Sequence, residues 1–285
     1  MLDASPSGVP GYFKTVVGGP VEADQTPVQI DMTVLGVLPN AGYDGLALIL
    51  FQADMTDPVM ARIGTIAHGM SGSPLYVDDG GTWKVIGALS YGDLFTLNGL
   101  GLATPIDAMK AVMVDHPVKA SARSAPAQGA MPRQEGRDSM AVDSASPGGT
   151  GPLGSAVLGS EDALSVISLP SPLQVDGTAV SRIVVAHNAT AAAALRPATG
   201  TTAFAPLSSV RIGGLPRNAA AYKALVKALE ARGHHVVQGL GSGSGGWHPD
   251  FSTPVVPGAA CATMYTDGPF WAGGIGTVTY VDGDG

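Results

Sequence analysis

The chain has 285 residues, 45% of them apolar and only 6% aromatic, with 40 glycines and 22 prolines, a composition of strands joined by many turns around one large or two smaller cores. Its net charge is −8 and it has no basic run or aromatic–basic interleaving, which argues against nucleic acid as a partner. One cysteine, Cys261, excludes an intrachain disulfide and a cysteine-rich zinc site, and reads as a packed small hydrophobe.

In chain order, residues 1–116 read as a β region. Gly11–Val16 and Gln29–Val37 are strand-like, the latter with partial apolar alternation, and Gly45–Phe51 is a continuous apolar run. That run is far too short to cross a membrane, and no other segment approaches the length of a transmembrane helix. Met1–Pro10 lacks the charged and apolar regions of a signal peptide. Trp83–Gly92 and Gly99–Ile106 read as two further strands, and Pro105–Met113 as a short helix with proline in its first turn.

Residues 117–155 are rich in Ala, Ser, Pro and Gly without apolar periodicity, and read as a flexible linker. Residues 156–250 read as an α/β region. Ala163–Leu169 and Arg182–Ala186 are strand-like, and Arg217–Arg232 is the clearest helix. Tyr222, Leu225, Val226 and Leu229 make one apolar stripe on it, with Asn218 as N-cap and Gly233 as stop. A strand begins at Val236, and the Gly/Ser run 239–246 is a linker rather than a phosphate loop, because no Gly-Lys-Ser/Thr follows it. Residues 251–285 return to β character. Gly276–Gly285 looks like a strand entering a hairpin turn.

The segment with the most chemistry is Gly69-Met70-Ser71-Gly72-Ser73-Pro74, followed by Leu75-Tyr76-Val77. A nucleophilic serine needs a tight glycine-flanked turn, so that its hydroxyl projects and neighbouring N–H groups converge on one point. Gly69 and Ser71 are the natural backbone donors of such an oxyanion hole. With the strands that follow, this is the layout of the serine-bearing half of a chymotrypsin-like barrel. The plain alternative is a Gly/Ser/Pro turn between two strands.

Several separated segments together resemble the SpoIVB peptidase family of bacterial serine peptidases: Gly64–Tyr76, Ile86–Gly92, Ala103–Ile106, Gly11–Val16 with Val34–Leu38, and Gly276–Asp284. The resemblance implies a mainly β fold with an α/β insert, chymotrypsin-like barrel elements, and cleavage of protein or peptide substrates without a cofactor. It also implies an extracytoplasmic or cell-envelope location. Ser71 corresponds to the nucleophile and Asp57, in Asp57-Pro58, to the acid, with Asp54 its neighbour to consider. The family's Gly-His segment, which carries the general base, would begin just beyond Gly285. On this reading the chain is expected to be a fragment with little activity of its own.

The six histidines offer substitutes of differing quality. His68 shares the turn with Ser71 and reads as the rim of a substrate pocket. His116 precedes a proline at a region edge, His187 sits in a loop-like stretch, and His234 and His235 follow the helix, where its dipole favours them. A metal site from His234, His235 and His248 is not expected, since no carboxylate has ligand spacing to them. The competing function is a catalytically inactive protein that keeps the peptidase fold and holds a peptide by strand addition. A cell-envelope structural module without a peptide cleft is a third.

Overall fold

A computed structural model describes residues 8–16, 26–115, 163–175, 177–195, 199–238, 255–266 and 270–281. The expected linkers at 117–155 and 239–246 lie outside them. The fold is mainly β. Strands β1 (Val9–Thr15), β2 (Val28–Leu38), β3 (Leu48–Ala53), β4 (Pro74–Asp78), β5 (Trp83–Gly92) and β6 (Leu100–Pro105) pair antiparallel in the order β4-β1-β2-β3-β6-β5. A β4–β5 ladder joins the two ends, so the six strands close into a barrel and leave no free edge there.

Two cores explain why some of these strands read as unbroken apolar runs. On β3, Ile49, Phe51 and Ala53 point into the barrel, while Leu48 and Leu50 point outward into a second buried cluster. On β6, Ala103 faces in, while Leu100 and Leu102 face out. A strand buried on both faces cannot show polar alternation. Gly101 has no room for a side chain, because a Cβ would come within 2.5 Å of the Phe51 ring.

The outward cluster is covered by β7 (Ala163–Val175) and β8 (Thr178–Ala186), with β9 (Thr201–Pro206) joining them to the barrel through β5. Strands β8 and β9 are parallel, and α3 (Ala189–Leu195) crosses between them. It packs Ala191, Ala192 and Leu195 on Val184, Ala186, Ala203 and Ala205. A second βαβ unit follows: β10 (Ser209–Gly213), α4 (Ala220–Glu230) and β11 (His235–Gln238), with β10 and β11 parallel. Strands β13 (Trp271–Thr277) and β12 (Ala260–Thr266) extend this sheet beyond β10 by antiparallel pairing.

The α4 stripe packs as its spacing dictates, with Tyr222, Leu225, Val226 and Leu229 against Val210, Ile212 and Ala272. The helix is shorter than Arg217–Arg232, and its N-cap is Ala219 with no side-chain cap, so Asn218 does not serve. Gly233 does end the segment, at φ +85°, in the left-handed region that glycine tolerates. Cys261 is exposed rather than packed, because β12 is an edge strand of the four-stranded sheet. Partial burial still pushes its thiol pKa upward. The terminal strand ends at Thr277, Val278 continues its backbone bonding to Gly258 and Ala259, and residues 282–285 lie outside the described ones.

Phe51 is fully buried at the barrel centre and its ring lies 5.9 Å from that of Phe13. Phe51→Ala is expected to lower the unfolding free energy by about 3–5 kcal/mol in denaturant titrations. A loss under about 1 kcal/mol would mean that the barrel interior is not a packed core.

Candidate functional site

Residues 67–73 form two successive tight turns between α1 (Pro58–Ile63) and β4. Met70 N donates to Ala67 O at 3.2 Å and Ser73 N to Met70 O at 3.0 Å. Gly69 and Gly72 have φ of +96° and +90°, a region that costs any residue with a Cβ about 1–2 kcal/mol. Met70 anchors the loop by burying its side chain in the barrel core. Ser73 is also buried, and its carbonyl accepts from Leu89 N at 2.9 Å while Gly72 N donates to Leu89 O at 2.8 Å.

A distant segment holds the turn from its other side. Thr277 N donates to Ser71 O at 2.7 Å, and Thr279 Oγ1 donates to Gly72 O at 2.7 Å. Thr277 Oγ1 reaches Gly69 O at 3.4 Å. The approach is close enough that a Cβ on Gly72 would come 2.2 Å from Thr277 O, and one on Gly276 3.0 Å from Ser71 O. Gly72 is therefore required by contact as well as by conformation, and Gly276 by the closeness of the contact.

This clasp leaves a particular set of groups unused. The amides of Met70, Gly72 and Ser73 all donate within the structure, whereas those of Gly69 and Ser71 donate no hydrogen bond among the described residues. Successive amides around a turn with left-handed residues form a concave anion-binding nest. Ser71 itself is half-buried, and no hydrogen bond to its Oγ is present among the described residues. The turn thus holds one hydroxyl and two amide donors that have no partner among the described residues.

Asp57 is used elsewhere. It is the N-cap of α1, its Oδ1 accepting from Val59 N at 2.7 Å and Met60 N at 3.2 Å, with Pro58 in the first turn and Gly64 as the left-handed C-cap. Such a cap contributes about 1 kcal/mol. Among the described residues no hydrogen bond or ion pair joins Asp57 to Ser71 or to a histidine. Asp54 closes a local turn through Thr56 N and Thr56 Oγ1, and these bonds, led by the hydroxyl's, hold its carboxyl below the ordinary range.

His68 points its Nδ1 at Leu207 O, 3.4 Å away, and stacks on His235 with ring centroids 4.2 Å apart. Both rings line a cavity of about 380 Å³ together with Asn188, Pro206, Glu230 and His234, and Ser71 is not part of that lining. His68 is therefore a rim residue of a cavity beside the serine turn. Burial pushes its pKa down, the neighbouring His235 pushes it the same way, and the Leu207 carbonyl opposes them. His187 meets the Tyr43 hydroxyl at 3.4 Å and His234 the Ser208 hydroxyl at 3.2 Å. His116 and His248 lie outside the described residues. Among those described, no three His, Cys, Asp or Glu side chains have the geometry to hold a metal ion.

Four contributors have roles that their local sequence does not announce. Thr277 and Thr279 brace the turn from far along the chain, and nothing local marks them. Asp93 is almost fully buried and ties the β5–β6 loop together through Phe95 N at 3.1 Å and Thr96 Oγ1 at 2.7 Å. Its backbone carbonyl takes Thr65 Oγ1 at 2.9 Å, which fixes the chain entering the serine turn. The spacing Asp93-x-x-Thr96 between two strands was a readable turn signal. Leu207 is the fourth, its side chain buried in the barrel core with Ile66 and Met70.

No family model, curated protein or solved structure matches this chain. The resemblance to the SpoIVB peptidases rests on the residues themselves.

The folded chain holds the His68 pKa below its unfolded value of about 6.5, so the unfolded state takes up the proton more readily. The stability from neutral His68 is thus complete above about pH 6.5 and is lost as pH falls through the lower, folded pKa. Thermal midpoints should fall between about pH 7.5 and 5.5, and fall less in His68→Gln. Equal slopes in the two proteins would contradict this.

Proposed function

We propose that Ser71 is the nucleophile of an acyl-transfer site and that the protein is a serine endopeptidase of the SpoIVB kind on a chymotrypsin-like barrel. The observation that carries this reading is the pair of free amides, Gly69 N–H and Ser71 N–H, beside the Ser71 hydroxyl on a rigid turn. A tetrahedral intermediate develops negative charge on the former carbonyl oxygen. Prepositioned donors stabilise that charge without reorganising, an effect worth about 10²–10³-fold in rate per donor. The turn's rigidity supports it: barrel strand β5 fixes one side at Leu89, and β13 of the four-stranded sheet fixes the other at Thr277.

In this reading the attacking atom is Ser71 Oγ. Its proton passes to a base, which later returns it to the leaving amine, and water then releases the acyl group from Ser71. None of the described histidines is bonded to Ser71 Oγ, so the base comes from outside the described residues. Asp57 stays a candidate for the acid only if its cap bonds are shared or exchanged. His68 would border the substrate at the pocket rim. The protein or peptide substrate is the sole partner required, and no cofactor enters the steps.

A second reading is favoured by those same engaged groups. With Asp57 committed to α1 and His68 to Leu207, the site is a peptide-binding cleft without turnover. One experiment separates the two. Unfolded casein is incubated with the chain extended by the Gly-His segment that the resemblance expects, and with the Ser71→Ala variant of that extended chain. The peptidase reading expects cleavage that drops by about 10³-fold or more in the variant. Equal cleavage by both proteins, or none by either while both bind casein, would overturn it.

A further inference from the structure

One edge of β5 carries the serine turn and a second, unrelated segment in immediate succession. From Trp83 to Ala88 that edge is covered by β4. At Leu89 it is covered by the turn itself, through Gly72 N and Ser73 O. At the next residue the cover changes: Leu207 N donates to Ser90 O at 2.9 Å, and Pro206 and Ala205 then pair with Tyr91 and Gly92. The segment Ala205–Leu207 therefore runs antiparallel to β5 and reaches the serine turn at Leu207.

Its attachment there is thin. Strands β5 and β9 share only two register positions, against four between β8 and β9, and Pro206 has no N–H to contribute to the ladder. Beyond the Leu207 amide bond, the side chain that seats the end against the serine loop is that of Leu207. Leu207 is fully buried and belongs to the barrel core cluster that contains Ile66 and Met70, both from the serine loop. The glycine at position 92 makes the room, since a Cβ there would lie 2.9 Å from Ile66 and 3.1 Å from the Leu207 side chain. The Leu207 carbonyl faces His68, the residue before Gly69, whose amide is free. The chain then leaves, with Ser208 O accepting from His235 N at 2.9 Å.

We propose that the β5 edge at Ser90–Gly92 is a peptide groove, that it takes an extended chain with an aliphatic residue in the Leu207 position, and that Ala205–Leu207 fills it in the structure as an internal occupant. The proposal rests on the acyl-transfer reading of Ser71 and names its substrate class. Strand addition draws affinity from main-chain bonds, here to Ser90 O, and specificity from alternate side-chain pockets, here the hole beside Ile66. The hole is apolar, so a charged side chain is excluded by its desolvation cost. Proline is accepted one residue earlier because that position donates no bond. An external peptide must displace a tethered competitor, whose effective concentration is on the order of millimolar.

The test uses a synthetic octapeptide, Thr-Thr-Ala-Phe-Ala-Pro-Leu-Ser, which copies residues 201–208. Hydrogen exchange is read on the wild-type chain with and without millimolar peptide. The Leu207 amide should exchange about tenfold faster or more with peptide present, while the β5 amides keep their protection. The same peptide with aspartate in place of its leucine should have no effect. Leu207→Ser should bind the fluorescein-labelled peptide about tenfold tighter than wild type by anisotropy. The exchange measurement decides the matter should that variant not fold. Unchanged exchange at Leu207, or equal displacement by the aspartate peptide, would overturn the groove. Ser71→Ala should leave displacement intact, so cleavage that persists in Ser71→Ala with displacement retained refutes the chemistry and not the groove.

Discussion

Everything at the candidate site depends on a backbone clasp. The carbonyls of Ser71 and Gly72 are taken by Thr277 and Thr279, and Gly72 N and Ser73 O are taken by Leu89. A turn with two left-handed glycines would otherwise be among the most mobile parts of the chain, since glycine gives up the most conformational entropy on ordering. Here its carbonyls and inward amides are all spent on neighbours. The two amides that remain, Gly69 and Ser71, are fixed and donate no hydrogen bond among the described residues. That combination of rigidity and unsatisfied donors is what an electrostatic site requires, and an ordinary β-turn at a barrel rim does not need it.

The same clasp ties the two parts of the fold to each other. Thr277 closes β13, whose ladder partner β10 carries α4 and leads on to His235. His235 stacks on His68 at the start of the serine turn, and Leu207 buries its side chain in the barrel core. Three contacts of different physical kinds (a backbone bond, a ring stack and a buried side chain) thus meet within a few residues of Ser71. Rearrangement in the α/β region would be felt first at that turn. The pKa of His68 is lowered by this crowding, chiefly through burial.

How much of this the sequence disclosed follows from the range of each interaction. The serine turn was legible because glycine at positive φ and a following strand are local signals, and the α4 stripe because its period is local too. The closure of β4 on β5 was not, since barrel closure joins elements whose order no periodicity encodes. Asp57-Pro58 was read for chemistry, yet Asp before Pro with a glycine six residues on is also the start-and-stop pattern of a short helix, which is how the structure uses it. Helix α3 was passed over because Asn188 follows a histidine in a loop-like stretch. Its Oδ1 nevertheless accepts from Ala191 N at 2.8 Å, and an alanine-rich run after Asn was the available clue. Thr277, Thr279 and Leu207 act across such sequence distances that only the folded chain reveals them.

The measurement that bears most directly on the central claim is ¹¹B and amide NMR of the protein with a peptidyl boronic acid ending in an aliphatic residue. A nucleophilic Ser71 bonds boron through its Oγ and converts it from trigonal to tetrahedral, and one boronate hydroxyl oxygen takes hydrogen bonds from the Gly69 and Ser71 amides. The account predicts a tetrahedral ¹¹B signal together with large downfield shifts of the Gly69 and Ser71 amide protons, all lost in Ser71→Ala. A boron that stays trigonal at saturation, or a tetrahedral signal that survives Ser71→Ala with the two amides unmoved, would contradict it.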